Sequence, residues 1–194
     1  MNILSFFLSD RPAARLALVL ALGAFYAGTI LINNELLFPF AEVDGTVFWF
    51  FLPEGIKFLL VMSLGVRGAL AIGVGRAVVT LNQYPDAGYL NGLATGAVMT
   101  VSTLVAMKVG SMLTDMKFPW RELKSGHVVV MAVIFAMMDT GAKLFYEIYA
   151  LGNTKILGAR LDEIFIIEAF GRFAGILAFI YLITLYRRAL LHNN

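Results

Sequence analysis

From Leu16 to Ile32 the chain runs without a charged side chain, and three further stretches, Tyr89–Val109, His127–Ala150 and Glu163–Tyr186, are nearly as apolar and longer. A helix needs roughly 20 apolar residues at 1.5 Å rise each to cross a bilayer core. These four meet that length. Composition agrees: 60% of the 194 residues are hydrophobic and 14% charged, against about 45–50% and about 25% in soluble domains. A chain this short could not hide so much apolar surface from water, and it is too rich in large apolar residues for disorder. The expectation is an all-α, polytopic helical membrane bundle, a single integral membrane domain over residues 1–194.

Two more apolar segments lie between the first and the fourth. Phe48-Trp49-Phe50-Phe51-Leu52-Pro53-Glu54-Gly55-Ile56-Lys57 leads into Phe58–Leu64, and after the turn Gly65-Val66-Arg67-Gly68 comes Ala69–Leu81, 13 residues long. Both are short, so they are either short helices in a thinned or tilted setting or a re-entrant hairpin buried in protein. Two true helices put Arg67 at an interface, and six transmembrane segments are therefore expected. Met1–Ser9 reads as a short interfacial segment. With no cation ahead of Ile3 and no small-x-small site after Ile32, Leu16–Ile32 reads as a retained helix, not a cleaved signal.

Basic residues in short loops set orientation. With the N-terminus inside, the inner set is Arg11, Arg15, Arg67, Lys117, Arg121, Lys124, Arg187 and Arg188. The outer set is mostly acidic, with Glu35, Glu42, Asp44, Asp86, Asp162 and Glu163, and Lys155 and Arg160 as exceptions. Both termini are expected on the cytoplasmic side, a parity that survives the hairpin alternative.

Small residues recur at one-turn spacing: Gly88, Gly92, Gly96 and Thr100; Ala69, Gly73 and Ala77; Gly171 and Gly175. Such stripes let helix backbones approach when lipid is as apolar as leucine. They would serve a seam to a second copy equally well, but six helices in need of partners favour packing within one subunit.

Seven ionisable residues fall inside apolar segments: Glu54, Lys57, Arg76, Asp139, Lys143, Glu168 and Arg172. Each costs about 2.5–3.5 kcal/mol at mid-helix on insertion scales, so such groups usually face a bundle interior or a cavity. Glu54 and Lys57 are spaced i,i+3; Asp139 and Lys143, like Glu168 and Arg172, are spaced i,i+4, always acid before base. One reading is that each pair neutralises itself and pins helices together. The other is that three pairs on three helices converge into a ligand-binding site, because apolar residues would have made a cheaper core. The seven groups carry one more positive than negative charge, which points to an anionic or zwitterionic small ligand unless Glu147 or Asp86 supplies the balance. Pro53 and Gly55 around Glu54 would loosen the helix and expose backbone groups, a common device at membrane binding sites, although proline at a first helical turn needs no function. Asn91, Thr95, Ser102 and Thr103 could line the same cavity.

From Phe48 to Gly75 the pattern becomes familiar. Trp49 followed by Pro53-x-Gly55, an apolar helix, the turn Gly65-Val66-Arg67 and small residues ending in Gly73-x-Gly75 resembles the MASE1 family of integral membrane sensory domains. Leu90-Asn91-Gly92 is similar to the family's helix after an outer loop, and Ala169–Gly175 to its closing helix, where the family tends to have Gly-Asp in place of Gly171-Arg172. The resemblance covers roughly Ala14 to Leu185. It implies an input-type domain of the bacterial inner membrane. No cyclase or kinase domain follows Arg188, so signalling would pass to a protein partner at the cytoplasmic face. The charge reversal at Arg172 separates its ligand preference from the family's.

Other chemistry finds no support. There is no cysteine, and His127 and His192 are the only histidines, without a second ligand at metal spacing. Gly-x-Ser-x-Gly, phosphate-loop and dinucleotide patterns are missing. Lys117–Lys124 suits anionic lipid better than nucleic acid. A non-enzymatic sensory or ligand-binding module without metal or cofactor is expected. A small solute transporter, the substrate-binding subunit of an importer, and an accessory subunit of a larger membrane complex are the alternatives.

Overall fold

The computed structural model describes residues 12–37, 50–85, 88–114, 125–149 and 161–192. Among these residues the chain is helical, with short connections and no strand. Helix α1 spans Pro12–Ile32 and ends in a π-helical turn over Asn33–Leu37. Then come α2 (Pro53–Leu64), α3 (Val66–Gln83), α4 (Gly88–Thr114), α5 (Ser125–Tyr149) and α6 (Leu161–His192). Four of these elements, α1 with its π turn, α4, α5 and α6, are long and apolar enough to cross a membrane. Residues 1–11, the acidic stretch through Glu42 and Asp44, Trp49, Asp86, the loop from Asp115 to Lys124, and Lys155 and Arg160 lie outside the described residues.

Contacts along each seam give the helix directions. Gly23 of α1 meets Ala71 and Val74 of α3, and Tyr26 and Ala27 meet Gly75, so these two helices run parallel. On α4, Gly92 meets Leu81 and Gly96 meets Gly73 and Ala77, so α4 is antiparallel to α3. Asn91–Tyr146, Ser102–Asp139 and Gly110–Met131 make α5 antiparallel to α4. Lys143–Glu168 and Asp139–Arg172 do the same for α6 against α5. At one end of the bundle α1, α3 and α5 finish while α4 and α6 begin.

The small-residue stripes work within the subunit. The carbonyl oxygen of Gly73 lies only 2.6 Å from where a Cβ on Gly96 would sit, and the Thr100 hydroxyl donates to the Gly96 and Ala69 carbonyls at 2.9 and 3.4 Å. Only hydrogen at these positions permits that approach. Gly88, at φ 77, faces open space and takes no part in the seam.

Helix α2 explains its own shortness. Its twelve residues rise about 18 Å, less than the ~30 Å hydrocarbon core, and of them only Ser63 is exposed. It lies within the bundle against α6, α3, α1 and α5, so its ends need no lipid headgroup. The Phe51 N–H donates to the Gly171 carbonyl at 3.1 Å, about 15 Å along α6 from its first residue. The Leu52 N–H donates to Asn33 Oδ1 at 3.2 Å. Irregular backbone is tolerated at membrane depth when protein groups satisfy it in this way. Gly65, at φ 58, reverses the chain, and Gly68 then rests on the Leu60 carbonyl.

Polarity is inverted relative to a soluble bundle. Leu16, Leu20 and Phe25 of α1, Leu93 and Val101 of α4, and Ile166 and Phe170 of α6 all face outward, while Glu54, Lys57, Asp139, Lys143, Glu168 and Arg172 are only 0–6% exposed. Apolar surface on this scale belongs against lipid.

Candidate functional site

Three helices bring the charges together. The first turn of α2 carries Glu54 and Lys57, the middle of α5 carries Asp139 and Lys143, and α6 carries Glu168 and Arg172. Proline at the first position of α2 presets its start, and the Glu54 carboxylate sits at the end where free N–H groups favour negative charge.

Arg172 is the hub. Its Nη1 lies 2.8 Å from Glu54 Oε2 and 3.7 Å from Asp139 Oδ2, and its Nη2 lies 2.6 Å from Glu168 Oε1. The guanidinium also stacks 5.5 Å from the Phe51 ring centroid. Lys57 pairs with Glu54 at 3.1 Å and with Asp139 of α5. The second Asp139 oxygen accepts from the Ser102 hydroxyl at 2.8 Å. Lys143 lies 2.9 Å from Glu168 and 3.8 Å from Glu147. Six of the seven residues singled out from sequence thus form one continuous network, near mid-length of the long helices.

The seventh, Arg76 of α3, stands apart from those ion pairs but shares a cavity with them. A space of about 60 Å³ is bounded by Arg76, Lys143, Glu147, Glu168 and Arg172, with Phe51, Thr80, Thr95, Met99 and Tyr146 completing the wall. That is room for roughly five water molecules. Asn34, Gln83 and Tyr84 also line it, at the end of the bundle where α1 and α3 finish. Beyond the charge network, the other half of the bundle interior is apolar, with Phe58, Val61 and Met62 of α2 packed with Met131 and Phe135 of α5 and Ala106 of α4. Phe58 meets Phe135 edge to face, centroids 5.5 Å apart. None of these apolar side chains lines the cavity.

The structure resolves the charge balance that the sequence left open. Glu147 joins the network through Lys143, so Glu54, Asp139, Glu147 and Glu168 face Lys57, Arg76, Lys143 and Arg172, four against four. The apparent excess of one cation disappears. In addition, the i,i+4 residues on α5 reach to other helices, Asp139 to Lys57 of α2 and Lys143 to Glu168 of α6.

The polar residues of α4 divide. Thr95 lines the cavity while its hydroxyl donates to the Asn91 carbonyl at 2.8 Å. Ser102 holds Asp139, and Asn91 accepts from the Tyr146 hydroxyl at 2.9 Å. Thr103 is fully buried, its hydroxyl without a hydrogen-bond partner among the described residues. Asn33, in a stretch that reads as an acidic loop, is buried and tied to α2; one of two adjacent amides in a polar run, it gave no signal. Thr80, Gln83 and Tyr84 likewise fall where the sequence reads as the end of a segment. Among the described residues no three His, Asp or Glu side chains gather as a metal-ligand set.

Searches against protein-family models, curated proteins and solved structures each return no match for this chain.

Proposed function

We propose that this protein is a ligand-binding sensory module of a bacterial inner membrane, its site the polar cavity at the end of the charge network and its output a protein partner at the cytoplasmic face. The observation that carries the reading is the joining of six acids and bases from three helices against a small polar cavity. A purely structural role would be served more cheaply by apolar packing, since buried ion pairs rarely outdo apolar residues of equal volume. Arg172 touches α2 and α5 at once, so a ligand drawn to Glu168 or Arg172 would alter the seat of α2, a short helix hinged at Gly65. Motion of α2 would then reach Arg67 at the inner turn.

The resemblance to MASE1 domains from Phe48 to Gly75 and from Ala169 to Gly175 favours a sensor over a carrier. So does the apolar layer of Phe58, Met62, Met131 and Phe135, which separates the cavity from the opposite end of the bundle. In this proposal both termini lie on the cytoplasmic side, and α2 with α3 forms a hairpin between crossings that counts as segments two and three. The cavity then faces outward. Transport would require that apolar layer to open, and uptake into vesicles dependent on Glu54 or Glu168 is its signature. An accessory subunit would co-purify with partners and carry no small ligand.

Native mass spectrometry of the protein released from mild detergent separates these readings. A stoichiometric small-molecule adduct, lost in Arg172→Ala, supports the sensory module. A bare chain that no small polar solute stabilises against heat would refute it.

A further inference from the structure

Three buried side-chain atoms at one cavity have no hydrogen-bond partner among the described residues: Arg76 Nε, Glu147 Oε2 and Glu168 Oε2. One is a cationic donor and two are anionic acceptors. Buried polar groups are normally satisfied; Glu147 and Glu168 each pair with Lys143 through the other carboxylate oxygen, which leaves these two oxygens and Arg76 Nε open to a ligand. In the sequence Arg76 has no acid to pair with in its own helix, and the structure brings it to the same wall as the Glu147 and Glu168 carboxylates. Because the eight groups sum to zero, a ligand of either net charge would leave the low-dielectric site unbalanced. A molecule carrying both signs would not.

We infer that the cavity takes a small zwitterion, an ammonium and a carboxylate borne on one short carbon frame, with the carboxylate on Arg76 and the ammonium on Glu147 and Glu168. The inference rests on the reading of the cavity as a ligand site and names its chemical class. Size limits the class. A space of about 60 Å³, roughly five waters, suits an amino acid of the size of glycine or alanine better than a sugar or a nucleotide. Lys143 and Arg172 are not free to take the carboxylate, since each already holds Glu168, at 2.9 and 2.6 Å. Arg76 is therefore the cation that decides between zwitterions and simple ammonium ions.

Isothermal titration of the whole protein in lipid nanodiscs with glycine, acetate and methylammonium tests this. Glycine is expected to bind, acetate and methylammonium at least about tenfold more weakly, because each satisfies one side of the site only. Arg76→Ala is expected to weaken glycine by about ten- to a hundredfold while methylammonium binds as well as before or more tightly, since a like charge has gone. Glu147→Gln should weaken glycine and spare acetate. Acetate or methylammonium binding as tightly as glycine overturns the zwitterion while the ligand-binding reading stands. Binding of none of the three overturns the zwitterion; a stoichiometric adduct in native mass spectrometry would then show that the cavity serves another class, and a bare chain would overturn both.

Discussion

Replacing Arg172 by alanine strikes the network at its hub. The guanidinium reaches Glu54 at 2.8 Å, Glu168 at 2.6 Å and Asp139 at 3.7 Å, and it covers the Phe51 ring. Breaking a buried ion pair from one side costs about 3–5 kcal/mol, because a charge is left uncompensated in a poor solvent. Here each carboxylate keeps one cation: Glu54 retains Lys57 at 3.1 Å, Glu168 retains Lys143 at 2.9 Å, and Asp139 retains Lys57 and the Ser102 hydroxyl. The loss is therefore expected near the lower limit, about 3 kcal/mol, including about 0.5–2 kcal/mol from the guanidinium over Phe51. Reversible unfolding in mixed micelles, followed by circular dichroism, measures it against Arg188→Ala on the last turns of α6. That control should stay within about 0.5 kcal/mol of wild type. Arg172→Lys restores the charge without the planar fork that spans two carboxylates, so its stability should fall between. If Arg172→Ala and Arg188→Ala unfold alike, the network contributes nothing and the reasoning fails.

Two further substitutions probe how α2 is seated. Gly175→Val places a side chain on the Phe51 carbonyl and should cost about 1–3 kcal/mol by overpacking; Gly28→Ala, inside α1 with nothing nearby, should hold or raise the melting temperature. Lys57→Met alone should destabilise strongly, whereas Lys57→Met with Asp139→Leu should recover at least half of that loss. Equal losses in the single and the double variant would show that the two groups do not share their burial cost.

The four long helices were legible because apolar runs of membrane length have few other uses: the observed 88–114 encloses the run Tyr89–Val109, and 125–149 covers His127–Ala150 to within its last residue. The convergence of Glu54, Lys57, Asp139, Lys143, Glu168 and Arg172 was legible for a related reason: charges at helical spacing in apolar segments must find one another or a cavity. What escaped was decided by tertiary contact. Asn33 differs from Asn34 in sequence only by position, yet it alone accepts from the Leu52 backbone. Glu147 was legible only as one of two candidates, with Asp86, for the missing negative charge, and its pairing with Lys143 selects it. The depth of α2 followed from neither its hydropathy nor its length, since both fit a tilted crossing; Gly175 and the Gly171 carbonyl fix it by receiving Phe51. Phe51 itself read as one aromatic among several before Pro53, and its place under Arg172 is a product of that same contact.

The central claim is a meeting of side chains from separate helices, and a dipolar-recoupling NMR distance between labelled Arg172 guanidinium nitrogen and labelled Glu54 carboxylate carbon, taken in lipid bilayers, addresses it directly. With Nη1 and Oε2 2.8 Å apart and Nη2 2.6 Å from Glu168 Oε1, strong recoupling to glutamate carboxylates is predicted; it should weaken in Glu54→Gln, where Glu168 still couples, and vanish only in Glu54→Gln with Glu168→Gln. No recoupling in wild type, together with an arginine signal that exchanges freely with water, would contradict the account.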